Sequence, residues 1–386
     1  MHVIYALWTF PAIILAAMLI AWATECGQFY ISQGLALALL AWVQTLPEFA
    51  IETVIALDAA KDPLQMHLIT ANFTGSLRLF VGLGWPMVYF VAIIFGKRKK
   101  LGKKGLWTIQ MDDEHCVAVL SLLPALGYFL FIYFKGTLTI LDGLVLSLIY
   151  FTYLYLVSKV PPKDKEEIED LGRLPKAVMR LKNPWNVIGI FIFFIGGGLL
   201  LWFCAHPFLE SMLAAAVGLG VSQFVFVQWV APFLSEFPEK LSAFHWAKTV
   251  NKAPMALANF VSSSINQWTI LVATIPFIYS FGVHRIAFIT FDEHQKVEIL
   301  LTIVQSYLGF LFLASMDFTF LEALGLFFLW LVQFLIPGMR EEITGVYALW
   351  AGWETVRLIV RWRHRNAFSV FKQLVMAHRA YHVQDH

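Results

Sequence analysis

Two glutamates in this sequence follow a proline within an otherwise apolar stretch, at Pro47-Glu48 and Pro238-Glu239. A proline inside a helix removes one amide donor and frees the carbonyl about one turn earlier. Each Pro-Glu pair would then bring a backbone oxygen and a carboxylate together, the donor set that hard cations such as Ca²⁺ take. A charged side chain deep in an apolar medium is costly unless it is paired or hydrated. Glu48 and Glu239 are therefore expected to be cation ligands, with a structural ion pair as the plainer alternative.

Further charges gather around them. Glu52 follows Glu48 by four residues and shares its helical face, while Glu236, Glu239 and Lys240 fall on one side of a second helix. Arg78 is expected to compensate Glu52. Glu236 either neutralises Lys240 or binds ions itself. Four carboxylates (Glu48, Glu52, Glu236, Glu239) against two cations (Arg78, Lys240) leave a formal −2, which suits one divalent ion or two monovalent ones. A buried carboxylate that is protonated makes the proton an exchangeable ligand as well.

The elements that must hold these groups are spans. Hydrophobic residues make up 59% of the 386 and charged residues 14%, with a mean hydropathy of +0.69. That is more apolar surface than a soluble core can hide, so the surrounding medium is lipid. Apolar runs fall near 3–24, 33–57, 67–95, 116–134, 139–158, 187–205, 211–234, 255–281, 297–315 and 318–337. Backbone groups in lipid must be satisfied internally, so these are helices. The first run has no basic stretch before it and reads as a span kept in the protein.

Two connections are basic: the run from Lys97 to Lys104, and the segment from Lys159 to Lys182, where seven cations stand among five acids. Loops 97–105 and 159–184 are expected on the cytoplasmic side, which puts the N-terminus outside a cell membrane crossed many times. The stretch after Pro337-Gly338 reads either as a surface amphipathic helix or as an eleventh span that carries Arg361, Arg363 and Arg365 to the cytoplasmic side.

The two halves also echo each other. QTLPEFAIE and then ANFTGS at 71–76 are answered by SEFPEKLSA and then ANFVSS at 258–263, and Leu141-Asp142-Gly143 by Leu321-Glu322-Ala323. With five spans in each half, the halves must lie in the membrane with opposite orientation, so that the two Pro-Glu motifs converge near its midplane. The fold class is thus an all-α polytopic membrane protein of two inverted five-helix repeats, ten spans, plus a C-terminal helix. The expected division is 1–158 for the first repeat, 159–186 for a linker, 187–338 for the second repeat and 339–386 for the C-terminal helix and basic tail.

These motifs resemble the α-repeats of the cation/calcium exchanger superfamily, the sodium/calcium exchangers and their proton-coupled relatives. There each repeat carries Gly-Thr-Ser-Leu-Pro-Glu-Leu, followed on the next helix by Gly-Asn-x-x-Gly-Ser-Asn. Here the counterparts are Gln44-Thr45-Leu46-Pro47-Glu48-Phe49 with Ala71-Asn72-Phe73-Thr74-Gly75-Ser76, and Ser235-Glu236-Phe237-Pro238-Glu239-Lys240 with Ala258-Asn259-Phe260-Val261-Ser262-Ser263. The resemblance implies that Glu48 and Glu239 bind the metal ion, that Thr45 and Ser235 add oxygens before each proline, and that Ser76, Ser263, Asn72 and Asn259 line the site. Glu236, Lys240, Arg78, Phe80 and Gln267 depart from the family pattern.

The resemblance further implies a secondary antiporter exchanging Ca²⁺ against Na⁺ or H⁺ by alternating access, with those ions as cargo and no cofactor. The partners expected are membrane lipid and inorganic cations, with no nucleic acid. Enzyme chemistry is not expected, since no His-Glu-x-x-His, Ser/Lys or paired-Asp signature and no phosphate loop is present. The scattered histidines show no metal-ligand spacing, and the three cysteines read as small core residues. The competing reading is a membrane scaffold or sensor that keeps the fold while Arg78 and Lys240 neutralise the cation sites.

Overall fold

The computed structural model describes residues 5–27, 29, 30, 41, 42, 45–98, 108–160, 168, 171–218, 220, 222–248, 252–360 and 366–384. In the first half, α1 (Ala6–Gly27), α2 (Leu46–Lys61) and α3 (Met66–Leu79) lead through a π-helical turn at Phe80–Gly84 into α4 (Trp85–Arg98). Then follow β1 (Thr108–Gln110), α5 (Cys116–Lys135), β2 (Thr137–Leu138) and α6 (Ile140–Ser158). A short α7 (Arg173–Met179) stands in the connection.

The second half repeats the order. It runs α8 (Trp185–Gly218), α9 (Gln223–Val225), a π-helical turn at Phe226–Val230, α10 (Ala231–Ser235), α11 (Phe237–Lys248) and α12 (Ala253–Asn266). A π-helical turn at Gln267–Leu271 leads into α13 (Val272–Gly282), then β3 (Ile289–Thr290), α14 (Glu293–Ala314), β4 (Asp317–Thr319) and α15 (Phe320–Leu335). Two further helices, α16 (Arg340–Val360) and α17 (Ala367–Gln384), complete the chain.

Five described helical stretches are long and apolar enough to cross a membrane: 63–95, 113–135, α6, 185–204 and α14. Shorter apolar helical stretches lie at Phe226–Ser235 and Phe320–Leu335. Where the sequence suggests separate spans at 187–205 and 211–234, α8 continues unbroken to Gly218, past Pro207. A membrane helix tolerates such a proline because neighbouring groups take up the freed carbonyl. The basic loop at 99–107, most of 161–170 and Arg361, Arg363 and Arg365 lie outside the described residues.

Two small antiparallel ladders fix the relation between the halves. β1 pairs with β4, Thr108 opposite Thr319, and β2 pairs with β3, Leu138 opposite Ile289. Each ladder joins one strand from each half. Helix α5 runs from the β1–β4 ladder to the β2–β3 ladder, and α14 runs from the β2–β3 ladder back to β1–β4. The two pack against each other. Equivalent helices thus run in opposite directions, which is the inverted repeat. Both α6 and α15 start with a capping box, Thr139 with Asp142 and Thr319 with Glu322, placed just after β2 and β4.

Helices α3, α12 and α14 form the interior; every residue from Leu68 to Leu79 is buried. Outer helices expose apolar rows, Leu141, Leu144, Leu148 and Phe151 on α6 and Phe191, Ile195, Leu199 and Trp202 on α8. Such rows suit lipid, whose tails are as apolar as the side chains. The C-terminal α16 shows the same pattern. Arg340 at its start pairs with Glu298 near the start of α14, and Thr355 near its end lies 3.0 Å from the Tyr307 hydroxyl of α14. It therefore lies alongside α14 with Leu349, Trp353, Val356 and Val360 exposed on the far side. The helix thus runs along α14 and in the same direction, and does not lie across its end.

The three cysteines, Cys26, Cys116 and Cys204, are buried and form no disulfide.

Candidate cation site between the two repeats

Both Pro-Glu motifs sit at breaks in helices, not within unbroken ones. Thr45 forms a turn before α2, with Pro47 in the first turn of that helix, and Glu236 forms the turn between α10 and α11. A proline here lacks an N–H that would be unpaired in any case. Glu48 and Glu239 accordingly occupy the first turn of their helices, where the positive end of the helix dipole favours a carboxylate. Backbone hydrogen bonds from Thr45 to Ala41 and Phe49 to Thr45, and from Glu236 to Pro232 and Lys240 to Glu236, carry the chain through each turn.

The carboxylates are fully buried and are held largely by hydroxyl and amide donors. Ser235 Oγ donates to Glu48 Oε1 at 2.7 Å. Ser263 Oγ donates to Glu239 Oε1, and Asn259 Nδ2 approaches the same oxygen at 3.5 Å. Asn72 Nδ2 donates to Glu52 Oε2 at 2.5 Å. Glu236 accepts from Ser76 and from Gln267 Nε2 at 3.2 Å, and pairs with Lys240. Among the described residues, Glu48 Oε2, Glu52 Oε1 and Glu239 Oε2 have no hydrogen-bond partner. Glu236 and Glu239 act electrostatically on Glu48, so these three carboxylates form one cluster.

Two of these contacts cross between repeats. Ser235 of the second half binds Glu48 of the first, and Ser76 of the first binds Glu236 of the second. Thr45, expected beside the carboxylates, instead donates to the Trp42 carbonyl at 2.8 Å. A hydroxyl at a helix break has its own backbone acceptor one turn back, and Thr45 takes it.

The π-helical turns at Phe80–Gly84 and Gln267–Leu271 begin nine residues after Ala71 and Ala258, at equivalent places in the two repeats. Each re-aims the residues that follow the motif, a common device near functional sites. Gln267 is brought onto Glu236 and Ser76, at 2.6 Å from the Ser76 hydroxyl. Phe80, its counterpart, faces Lys240 at 5.3 Å from the ring centre.

Lys240 pairs with Glu236 as the sequence suggests, but Arg78 does not compensate Glu52. Its guanidinium pairs with Glu298 of α14, donates to Gln333 Oε1 at 3.2 Å and lies 4.9 Å over the Trp229 ring. Glu298 also binds Arg340 and accepts from Gln228 Nε2 at 2.7 Å, and Arg340 donates to Gln228 Oε1 at 2.8 Å. The reason is reach. Asn72 already covers Glu52 from the same helix, and Arg78, six residues further along, points to α14. Without Arg78, the four carboxylates and Lys240 sum to a formal −3 in place of −2.

Gln228, Glu298, Gln305, Gln333 and Arg340 escape a reading centred on the repeated motifs. Their signal is polarity within apolar runs, four of them inside predicted spans. At the β1–α5 junction Asp112, Glu114 and His115 bring ligand atoms within 4.8 Å of one another. A cavity of about 430 Å³ lies away from the carboxylates, lined by residues of β4, α15 and α16 that include Asp317, Glu322 and Arg357.

The same architecture occurs in known proteins. A crystal structure of an H⁺/Ca²⁺ exchanger, CAX, superposes with a TM-score of 0.86 at 28% identity, covering 97% of this chain and 91% of that one. The sodium-calcium exchanger NCX_Mj, in crystals soaked with Na⁺ and Sr²⁺, shares the fold at a TM-score of 0.58 and 18% identity, covering 87% of this chain and 98% of that one. No curated protein sequence matches the chain. The sequence profile of the sodium/calcium exchanger proteins matches residues 2–159 and 189–338, the two inverted halves that meet at the Pro-Glu carboxylates, and the chain belongs to that family.

Proposed function

We propose that this chain is a secondary-active antiporter that moves Ca²⁺ across a membrane in exchange for protons, by alternating access to the cluster of Glu48, Glu52 and Glu239. The observation that carries this reading is the set of unpartnered oxygens. Glu48 Oε2 and Glu239 Oε2, one from each repeat, are buried and accept nothing from the described residues. Buried carboxylate oxygens left in this state are suited to a cation or a proton. Serine and asparagine donors hold the other oxygens, so the carboxylates keep their positions as cargo comes and goes. Protons are favoured over Na⁺ as the coupling ion by the likeness to the H⁺/Ca²⁺ exchanger, together with three carboxylates that pair with no cation among the described residues.

Thr45, Ser76, Ser263, Asn72, Asn259 and Glu236 complete the proposed site as positioning groups. Chemistry on covalent bonds has no part in this reading, and the partners are lipid and inorganic cations. The scaffold alternative loses its main support, because Arg78 is committed to Glu298 and, among the described residues, Lys240 alone pairs with a carboxylate of the cluster. The proposed organisation is a first repeat at 1–158, a linker at 159–186, a second repeat at 187–338 and a C-terminal unit at 339–386. Placing loops 97–105 and 159–184 in the cytoplasm puts the β1–β4 ladder on that side and the N-terminus outside. An eleventh crossing by α16 then carries Arg361, Arg363 and Arg365 to the same side as the other basic loops, as the charge rule requires.

The test is ⁴⁵Ca²⁺ uptake into proteoliposomes under an imposed proton gradient. Uptake driven by the gradient and abolished in Glu48→Gln and Glu239→Gln supports the assignment. Uptake that both variants leave unchanged would sink it.

A further inference from the structure

Glu236 and Lys240 stand one turn apart at the start of α11, with 0% and 5% of their surface exposed. The Lys240 ammonium pairs with Glu236 Oε2 and lies 5.3 Å from the Phe80 ring centre and 5.7 Å from that of Phe233. Glu236 Oε1 accepts from Ser76 and Gln267. Both oxygens of this carboxylate are therefore engaged, whereas Glu48 and Glu239 each keep one oxygen open.

The repeat supplies a control within the molecule. Aligning Glu48 with Glu239 places Thr45 opposite Glu236 and Phe49 opposite Lys240. The extra carboxylate and the extra ammonium are thus present together, in one repeat only, and cancel in formal charge. Lysine is a compact point charge that offers a carboxylate what a bound monovalent cation offers. Its stem, unlike an ion, cannot leave with the cargo. Neither partner can be given up without stranding a buried charge.

We propose that Lys240 is a tethered substitute for one exchangeable monovalent cation. Its ammonium permanently fills a subsite at Glu236, so the exchange ratio is set by Glu48, Glu239 and Glu52. This rests on the antiporter reading given above. Removing the ammonium while keeping Glu236 should open that subsite to a free cation, and each Ca²⁺ should then be exchanged for one more monovalent charge.

The experiment uses the full chain in proteoliposomes. The zero-flux potential for ⁴⁵Ca²⁺ is measured under fixed proton gradients, with and without Na⁺ on both sides. Wild type should show a charge ratio indifferent to Na⁺. Lys240→Gln should exchange with a ratio raised by one, carried by Na⁺ where it is present, and bind ²²Na⁺ that wild type does not. An active Lys240→Gln with the wild-type ratio and no Na⁺ dependence overturns the proposal.

A Glu236→Gln/Lys240→Gln double variant removes the subsite and its occupant together. It is expected to exchange more slowly than wild type, at the wild-type ratio and without binding ²²Na⁺. If Lys240→Gln is inactive, Ca²⁺ exchange by the double variant at that ratio supports the proposal. Inactivity or unfolding of both variants assigns the pair to the fold alone and overturns it. Failure of wild type to exchange Ca²⁺ at all is a different result, and strikes the antiporter reading instead.

Discussion

Ser235, the last residue of α10 in the second repeat, donates a 2.7 Å hydrogen bond to Glu48 Oε1 in the first. Its hydroxyl also lies 3.0 Å from the Ala231 carbonyl, so one serine can turn between a backbone acceptor and the opposite repeat's carboxylate. Through this contact the position of the first Pro-Glu motif depends on the second.

Replacing Ser235 with alanine should therefore weaken cation binding at Glu48 without unfolding the protein. A hydrogen bond to a charged group contributes about 1.5–3 kcal/mol, or roughly tenfold or more in affinity. The expected outcome is at least such a rise in the Ca²⁺ concentration for half-maximal uptake. An unchanged value would show that the bond does not hold Glu48 for binding. Thr45→Ala, whose hydroxyl is turned to Trp42, should have a smaller effect.

The Arg78–Glu298–Arg340 network yields an ordered pair of effects. Glu298→Gln leaves two buried guanidinium groups without a carboxylate, whereas Arg340→Gln leaves Glu298 still paired with Arg78. Breaking a buried pair by removing one partner costs about 3–5 kcal/mol. Glu298→Gln should thus lower the melting temperature of the detergent-solubilised protein more than Arg340→Gln. The reverse order would mean that Arg78 is satisfied without Glu298.

Gly75 marks a crossing of α3 over the π-helical turn before α10. A Cβ added there would lie 1.8 Å from the Gln228 carbonyl oxygen, a backbone atom that cannot swing away. Gly75→Ala should force these elements apart, with loss of both Ca²⁺ uptake and thermal stability. Gly127→Ala, where nothing lies within 4 Å, serves as the control and should leave both within experimental error. Equal behaviour of the two variants would contradict the packing.

Sidedness can be read by labelling. Single cysteines at Lys103, Lys182 and Arg363 should react with a membrane-impermeant maleimide from the cytoplasmic face only, since an odd number of crossings separates each from the outer N-terminus. The three native cysteines are buried and should contribute little background. Labelling of Arg363→Cys from the outer face would remove α16 from the list of crossings.

What the sequence determined by itself was the repeat, the membrane and the two acidic motifs. Hydropathy acts residue by residue, and a proline next to a glutamate in an apolar run is visible without any partner. The pairing of Lys240 with Glu236 was equally legible, because residues four apart on one helix meet whatever surrounds them. Tertiary structure decided everything that depends on which helix faces which. Glu52 went to Asn72 and Arg78 to Glu298, 220 positions along the chain, because a buried charge pairs with whatever group the packed helices bring within reach and not with the nearest charge in sequence. The same holds for the opening contact. Ser235 reaches Glu48 across 187 residues only because the inverted halves bring α10 against α2. No spacing along the chain records that approach.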